Sequence, residues 1–417
     1  MARDVNNVLV YKDVAVGFIF QTAKGSVGTP NVFIKEADVA VDVGIDEFMP
    51  SGTDGQRFFA KNGHRVVYTY PKATVSGWLS RTMAAVLYES FTGGQPTASA
   101  SGLSAESGEI ASGVITGCRP FAQCDDISSC ELTLEVTANA AVWDLKLYKE
   151  TGKTNLLASQ TGIASGAAVS MVAQSNSGLT YTGTLAASPA SADYAITVKE
   201  TEYNWADEVH DAGWFTFGFD TGSKLYKLEG CQVKSFKFTS GGREGVRFEA
   251  ELHGLSWETP GASSLTASIT DNEFLASRDL TLTWDSGSNN LSLPEDGSFS
   301  VEGDYTMFEA GPDNAAEPEY FKRDGVDMHC SISMRPADET YTILQEARSG
   351  NFDSLGIDFS YGDYGSTIDF ADTIADPNVL ESVSGKDFGT TALDFRGRSD
   401  TTDTTPNLAT IKIQWRG

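Results

Sequence analysis

Apolar and polar residues alternate with a period of two along much of this chain. In VRFEAELHG, Val246, Phe248, Ala250 and Leu252 share one side, and Arg247, Glu249, Glu251 and His253 share the other. That pattern predicts a strand with one wet face. ELTLEVT at 131–137, DYAITVKE at 193–200, WFTFGFD at 214–220 and IKIQW at 411–415 read the same way. Helical spacing is rare. SRTMAAVLYESF at 80–91 places Met83, Val86, Leu87 and Phe91 on one stripe before Gly93 and Gly94 stop it. RPADETYTILQEARSG at 335–350 opens on Pro336, carries Asp338 and Glu339 in its first turn and ends at Gly350, which predicts a second short helix.

The pattern also repeats. VRFEAELHG at 246–254 pairs with ATIKIQWRG at 409–417, ADVAVDV at 37–43 with RDLTLTW at 278–284, and the helix after Trp78 with the one after Met334. The expectation is a mainly β chain of two duplicated modules, each with one short helix and its own packed core. From Gly93 to Val246 is 153 residues and from Gly350 to Ala409 is 59, a difference of 94. A difference of that size matches an inserted β-sandwich of about 100 residues. Six short strands fill the interval: GVITGCRPF, CELTLEVT, VWDLKLYKE, AAVSMVAQ, LTYTGTLAA and DYAITVKE. The predicted division is 1–95 with 211–262, an insert over 96–210, and 263–417. Polar stretches at 46–65, 285–299 and 362–408 exceed ordinary connections and call for a partner, as does the arm at 1–31.

Composition narrows the class. The 417 residues exceed one ordinary core. Acidic side chains number 57 against 30 basic, a formal charge of -27, so nucleic acid phosphate would be repelled rather than gripped. Arg3, Asp4, Lys12 and Asp13 break up the start of the chain, unlike a signal peptide, and no run is apolar enough to span a bilayer. Five cysteines, Cys118, Cys124, Cys130, Cys231 and Cys330, suit reduced thiols better than a disulfide framework.

No catalytic or cofactor motif emerges. His64, His210, His253 and His329 lack the i, i+4 spacing of a helical zinc site, and the six-residue intervals from Cys118 to Cys130 depart from those of zinc knuckles. DSGSNNLSLPED at 285–296 begins and ends like a calcium loop, but Gly287 and Asn289 replace acidic ligands, so a polar turn is the expectation. With 57 acidic residues, neighbours such as Asp125 and Asp126 arise by chance. Phe215, Phe217, Phe219, Phe236 and Phe238 keep the period of a sandwich interior.

Strand, long loop, strand, helix and closing strands resemble, in layout, the tail tube (major tail) proteins of long-tailed bacteriophages. The likeness covers 32–94 with 211–258 as one tube module and about 265–417 as a second, the layout of a two-module subclass. It implies tail-tube-type β-sandwich or barrel modules and an inserted immunoglobulin-like decoration that could meet a host-surface glycan. It also implies a virion protein assembled in the host cytoplasm, whose partners are itself, other tail proteins and DNA that passes without specific binding. No enzyme activity, cofactor or membrane is implied. Exposed sheet edges disappear when modules close around an axis, and three two-module chains would form a pseudo-sixfold ring that stacks head to tail. Glu249 and Glu251 are the candidate lumen residues. Asp46, Asp54, Arg57 and Lys61, with Asp285 and Asp296 in a matching loop over 285–325, are the candidate inter-ring contacts. A glycan-binding adhesin of several β domains, or a β-sandwich glycoside hydrolase with two placed carboxylates, are the alternatives.

Overall fold

A computed structural model describes residues 15–21, 28–30, 32–34, 37–42, 45–48, 65–69, 71–101, 110–116, 130–173, 179–206, 213–241, 244–265, 274–285, 289–291, 298–310, 320–334, 338–361, 364–375, 391–399 and 408–415. The chain is mainly antiparallel β with two α-helices among these residues. It opens with β1 (Ala15–Phe20), β2 (Val32–Phe33), β3 (Asp38–Asp42), β4 (Ile45–Phe48), β5 (Arg65–Thr69), β6 (Lys72–Trp78) and α1 (Arg81–Thr92). β1 is AVGFIF, buried at every position, so the segment expected as an arm contributes an inner strand. β3 pairs antiparallel with β6, and β4 pairs antiparallel with β5 in a separate two-stranded sheet. The start of α1 is set by Ser80, whose hydroxyl accepts from the Met83 amide at 3.2 Å, and its end by Gly93 at φ 72.

Eight strands follow: β7 (Thr97–Ser101), β8 (Ile110–Thr116), β9 (Cys130–Asn139), β10 (Val142–Tyr148), β11 (Leu156–Ile163), β12 (Ala168–Val172), β13 (Thr180–Leu185) and β14 (Ala192–Tyr203). They surround a core of their own, from Ala98 to Val198, with Leu132, Leu145, Leu147, Tyr181 and Ile196 at its centre. β7 and β11 escaped the sequence reading because TASAS and LLASQTGI alternate weakly. Entry and exit are adjacent: the Gly94 amide donates to Asn204 O and the Ala206 amide to Thr92 O. The last strand also leaves this unit, since Glu200–Tyr203 pair with a strand near the C-terminus.

The chain then forms β15 (Phe215–Asp220), β16 (Lys224–Gly241), β17 (Arg247–His253), β18 (Ser256–Trp257) and β19 (Gly261–Ala262). It continues through β20 (Leu280–Trp284), β21 (Asn289–Leu291), β22 (Ser298–Ala310), β23 (Tyr320–Met334), α2 (Asp338–Ser349), β24 (Asp353–Tyr361), β25 (Tyr364–Ala375), β26 (Thr391–Gly397) and β27 (Thr410–Trp415). Thus 285–325 is not one loop, because β21, β22 and the start of β23 lie within it, and β25 and β26 occupy much of 362–408. The sequence reading missed these strands because Ser, Gly, Asp and Glu dilute their apolar positions.

Pairing follows one order in each half. One layer runs β3–β6–β17–β16 and continues without a break as β22–β23–β26–β25. The other runs β2–β1–β15–β16–β18/β19 in the first half and β21–β20–β24–β25–β27 in the second. The long strands β16 and β25 belong to both layers. In this arrangement β17 and β26 take the same place, as do β3 and β22, and β1 and β20. The matches expected from sequence, 246–254 with 409–417 and 37–43 with 278–284, therefore join strands that occupy different positions. Each helix follows the second strand of that order, α1 after β6 and α2 after β23.

The expectation of two separate cores also fails. A single buried cluster extends from Val16 to Ile413 and includes both halves. The cause is the seam: Ser235–Gly241 of β16 pairs with Ser298–Asp304 of β22, and α1 lies over the junction. Tyr88 packs on Phe236 and Phe238 while its hydroxyl meets Ser366 Oγ at 2.8 Å, and Phe91 packs on Phe236 and Tyr305. Gly303 is required there, because a Cβ would stand 2.6 Å from Phe236 and 2.7 Å from Phe91.

Candidate assembly surface

The continuous eight-strand layer has one face packed under the helices and one, among the described residues, that no other strand or helix covers. Period-two alternation sends Phe236, Phe238, Phe248, Val301, Cys330 and Phe395 into the core. The intervening residues face away, and among the described ones they include Asp38, Asp42, Glu249, Glu251, Glu302, Asp304, Asp327 and Asp394 against Lys72, Lys234, Lys237, Arg247 and Arg396. With Arg398 added, these eight carboxylates stand against six cations, which leaves the face slightly acidic. It is nevertheless laced with cross-strand pairs: Lys237 with Glu302 at 3.0 Å, Lys234 with Asp304 at 2.8 Å and Lys72 with Asp42 at 3.7 Å. The Arg247 guanidinium sits 4.5 Å over the Trp78 ring.

Glu249 and Glu251 both stand on this face, beside Ser76 and Thr74 of β6 and Lys237 and Ser235 of β16. Glu249 is exposed. Glu251 is half-buried, 2.9 Å from His253 Nε2 and 3.9 Å from Lys234. The hydrogen bond from His253 holds its carboxyl below the ordinary carboxylate range, against the opposing effect of burial, with Lys234 and Lys72 adding to the depression. A depressed carboxylate contributes stability above its unfolded pKa of about 4.3 and loses it as pH falls through the folded value. Chemical denaturation of wild type and His253→Ala is therefore expected to differ near neutrality, with the gap narrowing as the pH drops below about 4.

Part of the basic set gathers at one place on the face. Lys237, His329, Arg396 and Arg398 line a recess of about 630 Å³ together with Asp394. His329 also lies 3.6 Å from Glu302.

The loop candidates fare differently. Asp46 lies in β4, in register with Tyr68, so it is part of a strand. Asp285 follows β20 with φ 58, its amide donating to Ser354 O at 3.1 Å. Asp54, Arg57, Lys61 and Asp296 lie outside the described residues, as do His64, His210, Cys118 and Cys124. Cys231 and Cys330 are buried free thiols whose pKa values burial drives far up. Among the described residues no group of three or more His, Cys, Asp or Glu could hold a metal ion, and no helix is long and apolar enough to cross a membrane.

What sequence reasoning missed is the pair of ends. Among the described residues β3 pairs only with β6, leaving its outer side as the edge of the eight-strand layer. Its counterpart β22 is covered by β16. The difference is measurable at matched positions. Val41 pairs with Ala73, eight residues before α1 (81 − 73), and Val301 pairs with Cys330, eight residues before α2 (338 − 330). Val301 is 0% exposed and Val41 is 42% exposed. Alternation within ADVAVDV marks a strand but carries no sign that one side lacks a neighbour.

No protein-family model matches this chain, and no curated protein matches it.

Proposed function

We propose that this protein is a structural subunit of a tail tube of the long-tailed bacteriophage type, with two fused tube modules and an inserted surface sandwich, and with no catalytic role. The observation that carries the reading is the sheet order β3–β6–β17–β16 followed by β22–β23–β26–β25. Two four-strand units stand in line, joined where the last strand of one meets the first strand of the next. A unit that can follow itself once within a chain can follow itself again between chains, so the open β3 edge of one copy takes the second half of another. An open hydrogen-bonding edge is an aggregation hazard that ring closure removes. The contact is heterologous, and it closes only if the rotation per unit divides a full turn.

Three chains would supply 24 strands, eight from each. Barrels of about 16–18 strands already leave an aqueous channel, so this one would be open. The bare face would line it, since helices cover the opposite face and the insert hangs from the end of α1. Glu249, Glu251 and the rest of the acidic excess would then repel phosphates over most of the bore, outside the recess at Arg396, letting DNA pass without specific binding. Rings would stack through their rims into a tube joined at its ends to other tail proteins, assembled in the host cytoplasm and carried in the virion. The insert, with its separate core, would project from the tube wall as a decoration able to meet a host-surface glycan.

Negative-stain microscopy of the purified protein at rising concentration tests the reading. Rings or tubes with an open centre are expected. Dispersed monomers at every concentration would overturn it.

A further inference from the structure

The two helices differ in a way that their shared position does not explain. Each has twelve residues and ends at a glycine of positive φ, Gly93 at 72° and Gly350 at 74°. Counting back from those glycines matches Ala84 with Tyr341, Tyr88 with Gln345 and Phe91 with Arg348. Every residue of α1 is buried. In α2, Thr340, Ile343, Leu344 and Ala347 are buried against their own half, whereas Tyr341, Gln345 and Arg348 are exposed, Tyr341 by 56%. Positions 345 and 348 match those through which α1 meets the second half, because Tyr88 reaches Ser366 and Phe91 reaches Tyr305, and Tyr341 stands four residues before Gln345 on the same stripe. The residue before the following strand repeats the contrast: Trp214, before β15, is 7% exposed, and Phe352, before β24, is 53% exposed.

We propose that the outward face of α2, with Tyr341, Gln345, Arg348 and Phe352, is the seat for the first half of a second copy of this chain. There the second copy's β16 and β18 would take the places that β25 and β27 occupy around α1. Inside the chain, α1 bridges the β16–β22 seam; between chains, α2 bridges the corresponding seam. The inference rests on the ring reading and adds to it a second contact, independent of the β3 edge, on the helix-bearing side of the sheet. It also accounts for two aromatic side chains left in solvent on one side of the second half.

Thiol labelling tests it. Tyr341→Cys marks the seat, and Val172→Cys, at a position 63% exposed on the insert, serves as reference. Wild type, whose Cys231 and Cys330 are fully buried, supplies the background. In dilute subunits both introduced thiols are expected to react with a maleimide at comparable rates. In assembled protein the thiol at 341 is expected to slow at least about tenfold, a protection of about 1.4 kcal/mol, while that at 172 is unchanged. Equal rates within assembled rings would overturn the docking of α2 and leave the ring standing. Failure of wild type to assemble would overturn both. Arg348→Glu should raise the concentration needed for assembly without lowering the unfolding temperature, and unchanged assembly would count against the seat.

Discussion

Replacing Val41 by lysine is expected to abolish assembly and leave the subunit folded, whereas replacing Val301 by lysine is expected to prevent folding. The two valines hold matching places in β3 and β22, on the core-facing side of the same layer. Val301 is 0% exposed in β22 beside β16, so an ammonium there would be an uncompensated buried charge, destabilising by about 3–5 kcal/mol or more. Val41 is 42% exposed in the isolated chain, where a lysine can reach water at little cost. Once a neighbouring copy covers the β3 edge, the same ammonium is desolvated. Edge lysines are a known device against strand pairing, and a loss of at least about 100-fold in assembly, about 2.7 kcal/mol, is expected. Sedimentation reads the assembly and thermal unfolding reads the fold. If Val41→Lys assembled like wild type, β3 would not be an interface.

Phe91→Ala is expected to destabilise the whole two-half framework in a single transition. Phe91 is fully buried, with its ring 4.9 Å from Phe236, 5.5 Å from Tyr305 and 5.8 Å from Trp205. Phe236 belongs to the first half, Tyr305 to the second and Trp205 to the chain leaving the insert. Truncating such a ring costs about 3–5 kcal/mol through lost transfer energy and the cavity left behind. Because the core is continuous across the β16–β22 seam, that loss is shared by both halves. Calorimetry should show the framework transition move down as one unit, while the insert, with its separate core, keeps its own. A framework transition that split in two, with the second half unaffected, would mean that the halves fold independently.

Much of this architecture was legible in the chain. Alternation located β9, β10, β14, β15, β17 and β27, and glycines located the ends of both helices. The interval that holds the separate core from Ala98 to Val198 stood out as a length mismatch between two otherwise similar stretches. Which strands take matching places in the pairing order was not legible, for a physical reason. Period-two alternation says that a strand has one wet face and nothing about which strand lies beside it, so VRFEAELHG matched ATIKIQWRG although β17 pairs with β6 and β27 pairs with β14. The address is carried by what surrounds a strand: the distance to a helix, a hairpin turn, a close approach such as Gly303 against Phe91. AVGFIF was hidden by the opposite problem, since a strand buried on both faces does not alternate. The placement of Glu249 and Glu251 on the bare face followed from alternation, whereas the sheet edges became apparent only from the pairing order.

High-resolution electron microscopy of the assembled protein tests the central claim most directly, by showing what lies on the outer side of Asp38–Asp42. A ring of three chains is expected, in which a strand from another copy's second half pairs there antiparallel, repeating the β16–β22 junction with the acidic face inward. An assembly in which β3 faces solvent, or in which copies meet only through the insert, would contradict it.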